Sequence, residues 1–231
     1  MLNVENIKAG YGNLEILKGV NFKAHAGTIH GILGVNGSGK TTLFRTLLGW
    51  LPRKDGHLSF NNDPLSPKQL SFLQTKPYCY PYIKGKEYLE LLRIDNKDYK
   101  IDAWNEIFDL PLDRLAEDYS TGMTKKLALL GLLAQDRPII ILDEPFSGVD
   151  VASNEKFQEI FFRLKKSGKI ILLSSHLLQT LTHICDEISL LSDGMIQKTY
   201  EKDEFPSLEN LIKSQIKSKL DTQLNDLFEE K

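Results

Sequence analysis

The sequence predicts an α/β fold with a mainly parallel sheet, a small antiparallel β region at the N-terminal end, and an inserted helical region. Three observations predict it. The runs Pro138 to Leu142 and Lys169 to Leu173 are short, rich in β-branched residues and flanked by turn residues, the texture of strands buried on both faces of a parallel sheet. Between them, Phe157, Ile160, Phe161 and Leu164 recur at i, i+3, i+4 and i+7, so Ser153 to Lys166 reads as an amphipathic helix. From Pro77 to about Leu133 the texture is helical instead, which marks an insertion into the core.

In chain order, Leu2, Val4 and Ile7 recur through polar neighbours and Val20 and Phe22 alternate, both strand patterns. Thr28 to Leu33 is an apolar strand that ends in a glycine-rich loop, and Thr42 to Trp50 reads as the helix after it. Pro52 to Gly56 reads as a turn and His57 to Phe60 as a hairpin strand. Lys86 to Arg93, Asp102 to Phe108 and Thr124 to Leu133 are the helices of the insertion. In the tail, Ser207 to Glu230, apolar residues at Leu208, Ile212, Ile216, Leu220, Leu224 and Phe228 fall every fourth place, on one helix stripe. The simpler reading is a terminal helix docked on its own domain, the other a partner-binding element.

Composition narrows the function classes. The 231 residues are 41% hydrophobic and 26% charged, as in globular proteins rather than disordered or fibrous ones. No apolar run approaches the roughly 20 residues of a membrane helix. Met1 to Glu5 lacks the pattern of a secretory signal, so a cytoplasmic chain is expected, with Cys79 and Cys185 as free thiols. The net charge of −2 provides no global attraction for nucleic acid, and no nucleic-acid partner is expected.

Gly34-Val35-Asn36-Gly37-Ser38-Gly39-Lys40-Thr41 fits G-x-x-x-x-G-K-[ST], with a strand before it and a helix, from Thr42, after it. The glycines let the backbone curl so that N–H groups from Gly34 to Thr42 face phosphate oxygens, and the helix adds its positive end. Lys40 then reaches the β- and γ-phosphates and Thr41 ligates Mg²⁺. The core is thus expected to be that of a P-loop NTPase. A guanine reader is missing: the nearest candidate, Asn96-Lys97-Asp98-Tyr99, has Tyr in place of the second carboxylate. Ile139 to Leu142 runs into Asp143-Glu144 at a strand tip, where two carboxylates can divide the work. Asp143 would hold Mg²⁺, and Glu144 would orient and deprotonate the attacking water.

With these motifs in this order, the chain resembles an ATP-binding cassette ATPase of the exporter type over nearly its whole length, to about residue 200. The resemblance implies roles for further residues. Tyr11 matches the aromatic that stacks on adenine. Gln74 matches the glutamine that joins core to helical subdomain and senses Mg²⁺ and the attacking water. Asp150 matches the loop that crosses the dimer interface, and His176 the switch histidine at the γ-phosphate. Tyr119-Ser120-Thr121-Gly122-Met123 stands where the family has L-S-G-G-Q. Ser120 and Gly122 are retained; Thr121 and Met123 depart from that pattern, and the Y-S-x-G-M form resembles the exporter-associated variant.

The resemblance also implies a partition: residues 1–76 and 134–202 as the ATP-binding core, 77–133 as the helical subdomain, 203–231 as a tail. It implies ATP and Mg²⁺ as cofactors. Two ATP molecules would be sandwiched head to tail with a second ATP-binding subunit, in a homodimer or a heterodimer, on the cytoplasmic face of a separate transmembrane permease. The tyrosines Tyr78, Tyr80 and Tyr82 either line a groove for that permease or pack inside the subdomain. Long coiled-coil insertions and a second cassette, the marks of DNA-repair and translation-associated relatives, are missing from the sequence. A regulatory cassette that holds ATP without cleaving it is the remaining alternative.

Overall fold

The computed structural model describes residues 1–229, except the side chains of residues 219 and 222–229. Leu224 and Phe228 of the C-terminal stripe thus lie outside the described side chains, and Glu230 outside the described residues. The first strands, β1 (Leu2–Tyr11) and β2 (Leu14–Ala24), pair antiparallel and bury Leu2, Val4, Ile7, Leu17 and Val20 completely. Next come β3 (Thr28–Leu33) and α1 (Lys40–Leu47). The helix starts two residues before the expected Thr42 and stops three before Trp50. Gly49, at φ 73°, turns the chain out, and the Trp50 and Leu51 amides donate back to the Arg45 carbonyl.

The expected turn at 52–56 is not a chain reversal. β4 (Arg53–Phe60) runs straight through it and pairs antiparallel with β1. Gly56, at φ 95°, sits where that pairing slips between Glu5 and Lys8, so it serves a bulge. A two-residue β5 (Asp63–Pro64) completes the first sheet in the order β2-β1-β4-β5.

The chain continues through β6 (Leu70–Leu73), α2 (Gly85–Leu92), α3 (Ile101–Asn105), α4 (Thr121–Gln135), β7 (Ile139–Asp143), α5 (Val151–Lys166) and β8 (Ile170–Ser175). It closes with α6 (Leu178–Ile184), β9 (Glu187–Ser192), β10 (Met195–Glu201) and α7 (Phe205–Glu229). The second sheet has the order β10-β9-β3-β8-β7-β6. Only the β9–β10 pair is antiparallel; the other pairings are parallel.

This sheet is buried on both sides, as the apolar runs predict. Ile139, Ile141, Ile170 and Leu172 face α1 and the antiparallel sheet, while Ile140, Leu142, Ile171 and Leu173 face α4, α5 and α6. Such two-sided burial leaves the strand tips as the places where polar chemistry can sit. The terminal helix α7 docks by its first turns: Phe205 and Leu208 are buried, whereas Ile216 and Leu220 are half exposed or more. Among the described residues no helix is long and apolar enough to cross a membrane.

Candidate functional site

The parallel strands β3, β8, β7 and β6 deliver their C-terminal ends side by side. Register sets the level of each: Asp143 lies opposite Ser174, Leu33 opposite Ser175, and Leu142 opposite Leu73. The loop after β3, the pair Asp143-Glu144, Ser174 to His176 and the Gln74-Thr75 exit of β6 therefore meet along one edge.

The 34–41 loop is shaped by its glycines. A side-chain carbon on Gly34 would stand 2.4 Å from Ser38 Oγ and 2.6 Å from the Leu191 carbonyl oxygen, and Gly39 enters α1 at φ 109°. The Ser38 amide closes the loop on the Val35 carbonyl at 3.1 Å. Lys40 Nζ, buried, donates to the carbonyl oxygens of Gly34 (2.6 Å) and Val35 (3.2 Å). Burial lowers its pKa from the usual lysine value, while Glu144 and Asp143 pull the other way. Ser38 Oγ is buried without a hydrogen-bond partner among the described residues. An orphaned hydroxyl and a lysine held, among the described residues, by its own loop carbonyls fit a phosphate chain, which would supply both with acceptors.

Beside the loop is a cleft of about 380 Å³, lined by Tyr11, Asn36, Gly37, Gly39, Lys40, Thr41, Thr42, Asp143 and Glu144, with Ile16 and Thr75. Nine residues proposed from the sequence thus converge on one concavity. Tyr11 is open to solvent at its edge, and its hydroxyl accepts from Arg45 Nη1 at 3.1 Å. Gln74 leaves β6 at the level of Asp143, but it is its neighbour Thr75 that lines the cleft.

The carboxylates hold different partners. Asp143, 3% exposed, accepts from the Thr41 hydroxyl on Oδ2 (3.0 Å) and from Ser174 Oγ on Oδ1 (2.5 Å). A carboxylate and a hydroxyl this close fit the hard oxygen donors that Mg²⁺ selects, the remaining positions falling to water and phosphate. Glu144 Oε1 accepts from the His176 amide at 2.9 Å and lies 2.8 Å from His176 Nδ1. His176 lies outside the cleft lining; with Gly34 and Asn36 it borders a second cavity, of about 810 Å³, beneath α7. Glu144 occupies the left-handed backbone region at φ 49°, which costs a residue with a Cβ and gathers at functional sites.

Ser120, Thr121, Gly122 and Asp150 stand apart from the cleft. Ser120 caps α4, its Oγ accepting from the Met123 amide at 3.3 Å, and both Ser120 and Thr121 are exposed. Asp150 caps α5 through Ser153 and takes an ion pair from Lys126 of α4 at 3.0 Å. Gly122 packs against the Gly148 carbonyl oxygen, which would be 3.4 Å from a Cβ there. The start of α4 and the loop 144–150 thus form one packed unit.

Known proteins share this fold. The ABC transporter family profile matches residues 17–147, more than half of the chain. The chain belongs to the ATP-binding cassette family of ABC transporters. An uncharacterized ABC transporter ATP-binding protein of Nostoc sp. is 32% identical over 84% of this cassette, which spans 62% of that longer protein. The lantibiotic transport ATP-binding protein SrtF of Streptococcus pyogenes is 27% identical and matches over 94% of the cassette and 97% of its own length. A solved structure of an ATP-binding subunit of an ABC transporter superposes with a TM-score of 0.85 at 25% identity, covering 91% of this cassette and 94% of that chain. The α/β core, the antiparallel sheet and the added helices are those of the family. Sequence reasoning did not single out Ser174, Lys125 or Arg45, whose partners come from distant parts of the chain.

Proposed function

We propose that this cassette is the ATP-hydrolysing subunit of a membrane exporter, closing head to tail with a second ATP-binding subunit and driving a separate permease from the cytoplasmic face. The observation that carries the proposal is the pairing of Glu144 with His176 at the rim of a cleft that also holds Lys40, Thr41 and Asp143. The same pairing speaks against a regulatory cassette that only holds nucleotide.

In this reading Tyr11 stacks on adenine, and the amides of Gly34 to Thr42, with Ser38 Oγ, cradle the phosphates. Lys40 exchanges its loop carbonyls for β- and γ-phosphate oxygens. Thr41 and Asp143, with Gln74 as a further candidate ligand, would hold Mg²⁺, which would supply charge neutralisation at those phosphates. Glu144 takes a proton from water as the water oxygen bonds to the γ-phosphorus and the bond to ADP breaks; ADP and phosphate leave. His176 fixes the Glu144 carboxylate and contacts the γ-phosphate. Ser120, Thr121 and Gly122, exposed and away from their own cleft, serve the ATP of the second subunit, with Asp150 at the interface between them.

Residues 1–76 and 134–202 form the nucleotide-binding core in this scheme, 77–133 the helical subdomain and 203–231 the tail. The permease contact falls to the segment between β6 and α2. Tyr78, Tyr80 and Tyr82 are 64%, 58% and 82% exposed, so they do not pack inside the subdomain. Tyr78 and Tyr80 meet edge to face at 5.5 Å and offer one apolar surface.

Glu144→Gln tests the core of the proposal. The glutamine keeps an Oε1 acceptor for the His176 amide but loses basicity, so turnover should fall about 10²–10⁴-fold while ATP binding persists. Light scattering with saturating ATP should then show a stable dimer. A variant that hydrolyses ATP at the wild-type rate, or stays monomeric with ATP, overturns the mechanism.

A further inference from the structure

Lys125 is a fully buried lysine on the first turns of α4 that no step above uses. Its ammonium reaches across to the loop after β7, donating to the Glu144 carbonyl oxygen at 2.8 Å and to the Ser147 carbonyl oxygen at 2.7 Å. The Glu144 carbonyl also accepts the Ser147 amide at 3.2 Å, so the turn closes on itself and Lys125 locks it from outside. The residue so held is the one in the left-handed backbone region, at φ 49°. Such a conformation persists for a Cβ-bearing residue only where its surroundings impose it. The Glu144 amide supplies the other anchor, donating to the Ser174 carbonyl oxygen at 3.2 Å.

We infer that Lys125 is a positioning residue for Glu144, and that it ties the pose of the general base to the helix whose first residues are Thr121 and Gly122. Glu144 is clamped by its amide to β8 and by its carbonyl to α4. With that clamp the peptide unit cannot flip, and the carboxylate stays on His176 Nδ1. Any shift of α4 is delivered through Nζ to the Glu144 carbonyl. A signature that engages ATP on a second subunit would in this way set the base in its own subunit. A lysine serves because its long arm spans the two elements and its three donors satisfy two carbonyls at once. Burial pushes the Lys125 ammonium down to about 8, with Glu144 and Asp143 opposing the shift.

The inference rests on Glu144 as the base, so the experiment has one arm that needs no turnover. Lys125→Met keeps the volume and removes the donors. Hydrogen exchange of the full chain should show the Glu144 and Ser147 amides at least about tenfold faster than wild type, with the Leu129 and Leu130 amides of α4 unchanged. Lys125→Gln, with a donor on a shorter arm, should fall between the two. The second arm measures ATP affinity and single-turnover hydrolysis. Lys125→Met should bind ATP within about threefold of wild type yet turn over at least tenfold more slowly, and should add no further loss in the Glu144→Gln background. Unchanged exchange at Glu144 and Ser147 overturns the inference whatever the activity. So does a further tenfold loss in the Glu144→Gln background, because Lys125 would then act independently of Glu144.

Discussion

Ser174→Ala removes one oxygen from the interior and should disable the site more than its size suggests. Ser174 is fully buried on β8, directly opposite Asp143 in the β7–β8 register. Its hydroxyl donates to Asp143 Oδ1, and this leaves Oδ2 to the Thr41 hydroxyl. Alanine leaves almost no cavity, so the loss is that of one hydrogen bond to a charged group, about 1.5–3 kcal/mol. The Glu144 amide, which also touches Ser174 Oγ, keeps the Ser174 carbonyl oxygen and adds little. At about 2–4 °C per kcal/mol for a chain of this size, a loss near 2 kcal/mol lowers Tm by about 4–8 °C.

Stability alone would not show that the bond serves the metal, so the assay pairs a melt with the Mg²⁺ concentration that gives half-maximal ATP hydrolysis. Partners that orient a metal ligand are worth about 10–100-fold in metal affinity, and the half-saturating Mg²⁺ should rise within that range. Ser189→Ala is the control: Ser189 is equally buried, bonded to His30 Nε2 at 2.8 Å and to Thr199 Oγ1 at 2.7 Å, away from the cleft. It should lower Tm without moving the Mg²⁺ requirement. If Ser174→Ala melts as the Ser189 control does while its Mg²⁺ requirement stays at the wild-type value, Ser174 does not orient Asp143 for the ion. If its Tm does not move at all, the hydrogen bond carries nothing.

Asp150→Ala should lower Tm by a few degrees, because the Ser153 amide at the start of α5 loses its cap, while Asp150→Asn, which keeps an acceptor there, should melt near wild type. The hydrogen bonds from Ser153, and then Lys126, hold the Asp150 carboxyl well below the usual carboxylate range. Its contribution is therefore complete above the unfolded value near 4 and fades as pH falls through the folded one, so melts of Asp150→Ala and wild type should converge in strong acid. Tyr80→Ala, measured with the permease in vesicles, should abolish transport and spare ATP hydrolysis; loss of both together would mean that the tyrosine supports the nucleotide site instead.

The glycine-loop half of the candidate site was legible because its signal is local. Gly34 to Thr41 are consecutive, and what the glycines permit, a curled backbone entering a helix, depends on the residues on either side. The buried strands β3, β7 and β8 were legible for a similar reason, since unbroken apolar character reports two-sided burial wherever the neighbours are. Five elements gave too little signal, among them the two-residue β5. β6 is only Leu70–Leu73, α6 only Leu178–Ile184, and the β9–β10 hairpin is a pair whose outer strand alternates weakly, with Met195 and Gln197 exposed. Gly56 was misread because a glycine at positive φ serves a bulge as readily as a turn, and only the partner strand decides which.

The contacts of Ser174 and Lys125 leave no mark in the sequence pattern. Ser174 and Asp143 are 31 residues apart, and Lys125 and Glu144 are 19 apart. Neither pair has a spacing rule, since each contact exists only once β8 lies beside β7 and α4 crosses the loop that follows. A lysine in an amphipathic helix normally faces water, and on composition Lys125 cannot be told from its neighbour Lys126. The packing separates them: Lys125 is fully buried against the Glu144 carbonyl, Lys126 pairs with Asp150 at the surface. Together the two bind the start of α4 to both ends of the loop that begins with Glu144 and ends at the α5 cap. A motif search sees two separate signatures there, while the hydrogen bonds make one mechanical unit of them. The start of α4 at Ser120 and Gly122 is therefore linked to Glu144 directly through the Lys125 hydrogen bonds, as well as along the chain of α4 and β7.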